Sequence, residues 1–415
     1  MLKYSSTLFM NKYFPQKIIK EIVKKISTPV YIYSREKLIK NFKAYQKAFS
    51  NFDTLICYAL KANSNKAVCS ELAWLAAGAD AVSGGELFRA LRAGFKPEKI
   101  VFSGAGKTRE EIEYALTKRI LMINAESFEE LLVLEKTAKK LKTAADFSVR
   151  INPDIDPHTH KFITTGKAGT KFGVAPAEAF EMYLYSKKSK FLNPVGIHCH
   201  LGSQIDSAGP YKLALQVVAG LAKRLSSAGI FLKYVDIGGG WAVSERNGKM
   251  KSPEILFKTL SSGMASLNGV KLIIEPGRSL IASAGILATK VLYRKKSGKK
   301  NFVIVDAGMN DFIRPAFYGA EHLIIPLVKR KGKQVNVDVA GPVCETADLL
   351  GKNVKMPLPE QDDLLILYPA GAYGFSMSSQ YNSRPRPAEV MVCSANKWQV
   401  IRKRETYRDL IAGEK

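Results

Sequence analysis

The sequence predicts an α/β protein in which a (β/α)8 barrel of the TIM type is followed by a C-terminal antiparallel β-domain, sandwich or barrel-like in form. Two observations predict this architecture. Between residues 55 and 275, short aliphatic or β-branched runs alternate with longer segments of helical period, which is typical of parallel strands joined by crossover helices. After residue 290, strand-like runs such as 302–305, 334–339 and 364–367 are separated by turns alone. This pattern indicates an antiparallel sheet.

Eight strands can be placed in the first region, and eight is the number that closes a barrel. They are predicted at residues 55–60, 80–83, 99–103, 120–124, 147–151, 196–199, 234–237 and 271–274, with helices such as 66–77, 85–93 and 127–141 between them. An open doubly wound sheet is the alternative architecture. It usually begins with a G-x-G-x-x-G turn, which does not follow the first strand here, so the barrel is favoured.

We expect the barrel to span residues 28–285 and the β-domain to comprise residues 1–27 and 286–415. Residues 29–33 are strand-like. The sequence leaves open whether they join the β-domain or lead into the barrel.

The chain is strongly basic, with 63 Lys and Arg against 37 Asp and Glu and a formal charge of +26, which attracts polyanions. The densest basic clusters, residues 294–300 and 329–333, have the composition of turns. They therefore indicate solvated hairpin tips, and a nucleic-acid partner is not expected. Five scattered cysteines and the lack of a secretory signal or long apolar run predict free thiols, a cytoplasmic location and no membrane span.

Polar residues that follow barrel strands deserve most weight, because the carboxyl ends of these strands form the active face of such barrels. Lys61 ends the first strand, where desolvation and neighbouring charge can free its amine as a Schiff-base nucleophile. A surface lysine is the alternative, and the motifs that follow favour the catalytic interpretation.

Two further strand ends predict an anion site and an acid. Residues 238–240 are three consecutive glycines, which can form a backbone nest for a phosphate or simply a tight turn. Glu275 ends the eighth strand and precedes Pro276, Gly277 and Arg278. The backbone amides of Gly277 and Arg278 can reach the same phosphate. An acid placed opposite a pyridine nitrogen would keep that nitrogen protonated.

Histidines at two places invite a metal interpretation that we do not favour. His198 and His200 are directed to one strand face, with Cys199 between them, but no third ligand cluster with zinc-like spacing accompanies them. We therefore predict no metal, and a histidine stacked on a planar cofactor. His158 and His160 lie in a Pro- and Gly-rich segment, residues 153–173, predicted to be a mobile lid.

Taken in order, the motifs at residues 58–63, 198–204, 238–240 and 275–278 resemble those of the alanine-racemase-fold pyridoxal-phosphate decarboxylases. Among these enzymes the chain resembles the diaminopimelate decarboxylase family. Further matching motifs occupy residues 309–320, 341–348, 371–374 and 381–390. The chain departs from the family at residues 160–163, which read His-Lys-Phe-Ile where His-Pro-Tyr-Ile is usual, and in its basic charge.

The resemblance implies pyridoxal phosphate as cofactor and assigns it a pocket. Lys61 would carry the cofactor as a Schiff base, His200 would stack on its ring, and Glu275 would bond the pyridine nitrogen. The phosphate would be held, or its pocket lined, by Ser203, Gly240, Gly277, Arg278 and Tyr373.

The resemblance also implies a substrate site and a homodimer. Arg278, Arg314 and Tyr318 would bind a distal carboxylate, Glu345 a distal ammonium, and Tyr373 would line the same pocket. Cys344 would donate or accept a proton across the dimer interface, which makes Lys61, Cys344 and His200 the catalytic candidates.

The predicted reaction is decarboxylation of the small molecule meso-2,6-diaminopimelate to L-lysine and CO2, the last step of lysine biosynthesis. An ornithine or arginine decarboxylase of the same fold is one alternative. A catalytically inactive regulator with this fold is another.

Overall fold

The computed structural model describes residues 12–156, 165–167, 169–264, 267 and 269–415. The chain divides into a barrel domain, Asn41–Ala242 with Lys251–Ser279, and a β-domain, Met1–Lys40 with Val243–Met250 and Leu280–Lys415. These bounds differ from the expected ones in three respects. The barrel domain begins at residue 41 rather than 28, it ends at residue 279 rather than 285, and the loop of residues 243–250 belongs to the β-domain.

The first described elements are helix α1 (Gln16–Ile26), strand β1 (Val30–Ser34) and helix α2 (Arg35–Ala48). Strand β1 lies inside the β-domain sheet, which decides the question that the sequence left open.

Within the described residues, eight parallel strands close the barrel in chain order, as the sequence predicted. They are β2 (Thr54–Ala59), β3 (Gly78–Ala81), β4 (Ile100–Phe102), β5 (Met122–Ala125), β6 (Ala145–Ile151), β7 (Leu192–Cys199), β8 (Tyr234–Asp236) and β9 (Lys271–Ile274). The side chains of Leu55, Cys57, Val101, Met122, Val195 and Ile273 form one buried cluster of this domain. An apolar cluster of this kind leaves the polar chemistry to the residues near the strand ends.

Helices connect successive barrel strands, and several begin at a side chain that caps the helix. They are α3 (Lys66–Trp74), α4 (Gly84–Ala93), α5 (Arg109–Lys118), α6 (Phe128–Lys140), α7 (Pro176–Ser186), α8 (Gly209–Ser227) and α9 (Pro253–Met264). Ser83 and Ser127 accept hydrogen bonds from the third amide of α4 and α6, and Thr108 forms a capping box with Glu111. Such caps satisfy amides that the first turn leaves unpaired, and each contributes about 1 kcal/mol.

In the β-domain, β1 joins eight later strands in a mostly antiparallel sheet of nine described strands. The later strands are β10 (Gly285–Ser297), β11 (Lys300–Val305), β12 (Leu323–Pro326), β13 (Gln334–Ala340), β14 (Leu349–Pro357), β15 (Leu364–Tyr368), β16 (Ala388–Ser394) and β17 (Lys397–Arg402), with the short helices α10 (Arg278–Ile281), α11 (Arg314–Tyr318) and α12 (Tyr407–Leu410) beside them. Strand β1 pairs antiparallel with β10 and parallel with β16. The predicted two-domain α/β fold is therefore confirmed.

Of the two basic clusters predicted to be turns, residues 329–333 lie between strands, whereas residues 294–300 are mostly the ends of the two strands of one hairpin. Residues 298 and 299 separate β10 from β11, and residues 329–333 lie between β12 and β13. A search of the described helices for one long and apolar enough to cross a membrane finds none.

Candidate active site

Lys61 lies just beyond the carboxyl end of β2, in the single 3-10 turn Leu60–Ala62. Its Nζ donates to Oδ2 of Asp80 on β3 over 3.0 Å, and the lysine side chain is 34% exposed whereas Asp80 is fully buried. Burial and the charge of Glu275 raise the pKa of Asp80, while the charge of Lys61 opposes that rise. The ion pair therefore fixes an amine that remains accessible from the barrel mouth.

Beside this pair the barrel encloses further ionisable groups that the surrounding strands bring together. Strand pairing places His198 of β7 opposite Asp236 of β8, and β9 leads directly into Glu275. One ligand atom from each of these three residues lies within 4.8 Å of the other two. By spacing alone the three could hold a small divalent ion.

This group is not the one that the sequence suggested for a metal. The sequence drew attention to His198 and His200 with Cys199 between them, whereas the structure groups His198 with two carboxyl side chains. Burial, followed by the charge of Asp236, raises the pKa of the Cys199 thiol to about 12, so this thiol is a poor ligand at neutral pH.

Glu275 is a buried carboxylate that stays ionised. Burial favours its neutral form, but His198, Lys61 and His200 together hold the pKa of this carboxyl well below its usual range. Its Oε1 is buried and has no hydrogen-bond partner among the described residues. The site therefore holds an anionic acceptor with one oxygen unused.

Asp236 has the opposite character, although it is equally buried. Burial and the charge of Glu275 raise the pKa of Asp236 well above its usual range, because two adjacent carboxyl groups in a buried site do not ionise together. Its Oδ1 accepts the Gly238 amide over 2.8 Å. The pair therefore consists of one carboxylate and one carboxylic acid.

His200 follows β7 and is held in one tautomer. The Gly239 amide donates to its Nδ1 over 3.1 Å, so the ring proton is on Nε2. Burial, the charge of Lys61 and the charge of Arg150 lower the pKa of His200 well below its usual range. The ring is therefore a neutral imidazole, suited to stacking on a planar cofactor as predicted.

The glycine turn after β8 is required by close backbone approach. A Cβ at residue 239 would collide with the carbonyl oxygen of Glu275, and one at residue 240 with the carbonyl oxygen of Gly202. The amides of Gly238 and Gly239 already donate to Asp236 and His200. Of the three amides predicted to bind a phosphate, two are therefore already used within the protein. The amide of Gly240 remains the candidate for phosphate binding.

The remaining predicted cofactor residues of the barrel domain also lie near one another. Ser203 Oγ accepts from Arg278 Nε and NH2 over 3.4 and 3.3 Å. A Cβ at Gly277 would lie 3.0 Å from the Cβ of Ala59 and 3.2 Å from that of Ala62. A side chain at residue 277 would therefore be in tight contact with the residues on either side of the Lys61 turn, and glycine avoids this contact.

The predicted substrate residues other than Arg278 belong to the β-domain, as does Tyr373. Arg314 is buried in α11, pairs with Glu245, and has its guanidinium 5.3 Å from the Tyr318 ring centre. Cys344 is exposed, and its amide donates to Asn382 over 2.9 Å. The adjacent Glu345 accepts from the Tyr381 hydroxyl over 2.5 Å.

Sequence reasoning missed Asp80, Asp236, Glu86 and Glu245 as members of these groups. Burial raises the pKa of Glu86 to about 7, and its Oε2 accepts the Val82 amide over 2.9 Å. Asp80 and Asp236 could have been found from the sequence, because each is an acidic residue within or at the end of an apolar strand. His158 and His160, with residues 157–164 and 168 of the predicted lid, lie outside the described residues.

Residues 35–282 match the family described as pyridoxal-dependent decarboxylase, pyridoxal binding domain. A diaminopimelate decarboxylase of Helicobacter pylori is 48% identical over 393 residues, covering 94% of this chain and 96% of the relative. That of Aquifex aeolicus is 46% identical over 390 residues, covering 94% and 92%. The chain belongs to the diaminopimelate decarboxylase family.

The fold comparison agrees with this membership. The crystal structure of diaminopimelate decarboxylase from Helicobacter pylori complexed with L-lysine has a TM-score of 0.91 and 46% identity, covering 95% of this chain and 98% of that one. Membership confirms the predicted family and makes the chain a pyridoxal-phosphate-dependent carboxy-lyase.

The residues of the barrel domain fit this cofactor. A lysine amine stands at the barrel mouth, the ionised Glu275 has an oxygen without a partner, and the glycine turn forms a cradle that a Cβ would fill. The amine can react with the cofactor's aldehyde, the carboxylate oxygen can accept from its pyridine N–H, and the glycine turn can bind its phosphate.

Proposed function

We propose that this chain decarboxylates meso-2,6-diaminopimelate to L-lysine and CO2, with pyridoxal phosphate bound through Lys61. One juxtaposition carries the proposal. Strands β2 and β9 are paired neighbours, and they end in an accessible amine and a buried carboxylate respectively. The relative crystallised with L-lysine supports the identity of the product.

Each cofactor contact has a candidate residue. Lys61 would hold the aldehyde carbon, the unused oxygen of Glu275 would accept the pyridine N–H, and the neutral ring of His200 would stack on the cofactor. Ser203, Gly240, Gly277, Arg278 and Tyr373 would hold the phosphate or line its pocket. When bound, the cofactor supplies an electron sink for the pair of electrons left as CO2 departs.

Side chains of the protein would then supply the proton that replaces CO2 on the substrate. The Nζ of Lys61 is held 3.0 Å from Asp80, which would hold this amine at the barrel mouth when it is not bonded to the cofactor. Either that amine or the thiol of Cys344 would deliver the proton that replaces CO2. Burial of Glu275 and Asp236 keeps this part of the site free of bulk water.

Recognition of the substrate would depend on its far end. Arg278, Arg314 and Tyr318 would bind the carboxylate that the product retains, because a planar guanidinium matches a carboxylate in shape and charge. Glu345 would bind the distal ammonium group. Ornithine lacks the distal carboxylate and should therefore be a poor substrate.

We also propose that the active form is a homodimer in the cytoplasm. The exposed position of Cys344 supports a role in which this thiol acts in the site of a second copy. No nucleic-acid partner is proposed, because the basic clusters of residues 294–300 and 329–333 flank or form connections between strands.

The decisive experiment compares substrates and labels the amine. Purified enzyme with pyridoxal phosphate should release CO2 from meso-diaminopimelate and not from ornithine at equal concentration. Borohydride reduction followed by peptide mapping should mark Lys61, and Lys61→Ala should lose both the label and the activity. Comparable turnover of ornithine would refute the substrate, and a label on another lysine would refute the site.

A mixing experiment tests the shared site. Lys61→Ala and Cys344→Ala chains, each inactive alone, should regain part of the activity when they are unfolded and refolded together. Each variant refolded alone is the control. No recovery in a mixture that contains dimers would contradict the contribution of Cys344 across an interface.

A further inference from the structure

His198 is a buried polar side chain to which the mechanism above gives no role. It is 1% exposed, and neither ring nitrogen has a hydrogen-bond partner among the described residues. A polar group left unpaired in the interior destabilises the folded protein, because it loses its hydrogen bonds to water. An apolar residue at this strand position would avoid that cost, so the imidazole calls for an explanation beyond packing.

The nearest acid to this ring is Glu275. His198 Nε2 lies 3.6 Å from Oε2 of Glu275, while Oε1 of the same carboxylate has no partner. The two oxygens of Glu275 therefore have different surroundings, one beside an imidazole and one left for another donor. Hydrogen bonds in catalytic sites are often long before the ligand binds and shorten afterwards.

Two other side chains near Glu275 have to be compared with His198 as donors. His200 Nδ1 lies 3.9 Å from Oε2, but this nitrogen accepts the Gly239 amide and so carries no proton. Asp236 accepts the Gly238 amide through Oδ1. Because its raised pKa keeps a proton on the carboxyl group, Oδ2, which has no hydrogen-bond partner among the described residues, is a second donor beside the carboxylate. His198 is therefore the imidazole that can offer an N–H to the carboxylate.

We propose that His198 is a positioning residue whose Nε2–H keeps Glu275 ionised, with Oε1 available to the pyridine N–H of the cofactor. The inference rests on the proposed function and deepens it. Without this donor, burial would favour the neutral acid, and a protonated Glu275 would no longer be a pure acceptor for the ring nitrogen.

The electrostatics of the cluster agree with this geometry. Burial is the largest influence and opposes ionisation, yet the pKa of Glu275 lies well below its usual range, with His198 the foremost of the neighbours that lower it.

Three variants separate donor chemistry from packing. His198→Leu removes the donor at similar volume, His198→Asn keeps a polar group too short to reach, and His198→Gln places an amide N–H near the position of Nε2. The apoproteins should be titrated with pyridoxal phosphate and with its 1-deaza analogue, in which carbon replaces the pyridine nitrogen. Thermal unfolding of each variant checks that it folds.

We expect the wild type and His198→Gln to prefer pyridoxal phosphate over the analogue by about tenfold. His198→Leu and His198→Asn should lose that preference by weakening the natural cofactor alone. Equal weakening of both ligands would indicate a purely structural role, and an unchanged preference would show that His198 does not act through the ring nitrogen. Either result overturns the inference.

A second readout does not depend on activity or affinity. The ¹⁵N chemical shift of ring-labelled cofactor should report a protonated nitrogen in the wild type and His198→Gln, and should move towards the unprotonated value in His198→Asn. If His198→Leu fails to fold, this comparison decides the question. Failure of the wild type to bind pyridoxal phosphate at Lys61 would refute the proposed function itself, which distinguishes the two failures.

Discussion

The guanidinium of Arg314, in helix α11, pairs with the carboxylate of Glu245, in the loop of residues 243–250. The arginine side chain is 5% exposed and the glutamate 24%. Arg314 Nε is also buried without a hydrogen-bond partner among the described residues. If Arg314 binds the distal carboxylate of the substrate as proposed, Glu245 and the substrate compete for one cation.

Glu245→Gln should therefore lower the KM for meso-diaminopimelate severalfold with little change in kcat. The substitution removes a negative charge beside the substrate carboxylate and keeps an oxygen that can accept from Arg314. It should also destabilise the protein by a few kcal/mol, because a buried cation loses its counter-charge. Steady-state kinetics and thermal unfolding measure these effects.

Added substrate should raise the melting temperature of Glu245→Gln more than that of the wild type. Glu321→Gln is a matched control, because Glu321 pairs with Arg246 of the same loop at the surface and should change neither constant. A higher KM in Glu245→Gln would mean that Glu245 orients Arg314 rather than competing for it.

Gly239→Ala should disrupt the site through a backbone collision. The new Cβ would overlap the carbonyl oxygen of Glu275, so one of the two strand ends must move. We expect a loss of about 1–3 kcal/mol in the free energy of unfolding and at least tenfold weaker binding of pyridoxal phosphate. Thermal unfolding and cofactor titration provide the measurements.

Gly220→Ala in α8 is the matched control, since a Cβ there meets no atom within 4 Å. This variant should gain about 0.5–1 kcal/mol through better helix propensity. Wild-type cofactor affinity in Gly239→Ala would show that the turn adapts without disturbing Glu275.

Asp311 should make stability fall as the pH rises. Burial raises the pKa of Asp311 from 3.8 to about 7, so between these values the native protein holds a proton that the unfolded chain has released. The raised pKa corresponds to about 3 kcal/mol lost between pH 4.5 and pH 7.5, at 1.36 kcal/mol per pKa unit. Asp311→Asn should lack this loss.

Urea unfolding at pH 4.5 and 7.5 measures the effect. Asparagine keeps an oxygen for the Gly308 amide, which Asp311 accepts over 2.9 Å. Asp146→Asn, at an exposed position, should follow the wild type. If the difference between Asp311→Asn and the wild type stays constant with pH, Asp311 does not hold a proton in the native state.

The sequence predicted the barrel, and the proximity of Lys61 to Glu275, for a simple reason. Lys61 and Glu275 each end an apolar strand, and parallel strands of a barrel bring such ends to one face. Asp236 and His198 were harder to place, because their proximity depends on the register of β7 with β8, which local pattern does not determine.

The partnership of Arg314 with Glu245 could not be predicted for a different reason. The two residues are separated by 69 positions, and Glu245 stands in a loop whose sequence carries no periodic signal. The membership of residues 30–34 in the β-domain likewise depends on pairing with β10 and β16, both more than 250 residues away in the chain.

The central position of β1 between β10 and β16 sets an order for biosynthesis. A ribosome would release all eight barrel strands once β9, which ends at Ile274, has emerged, so the barrel can close while synthesis continues. The fully buried segment Val30–Ser34 is made before any barrel strand, yet its second neighbour begins only at Ala388. This strand therefore has no sheet partner until β10 has been made, and an unpaired strand edge of this kind is a site for aggregation in a nascent chain.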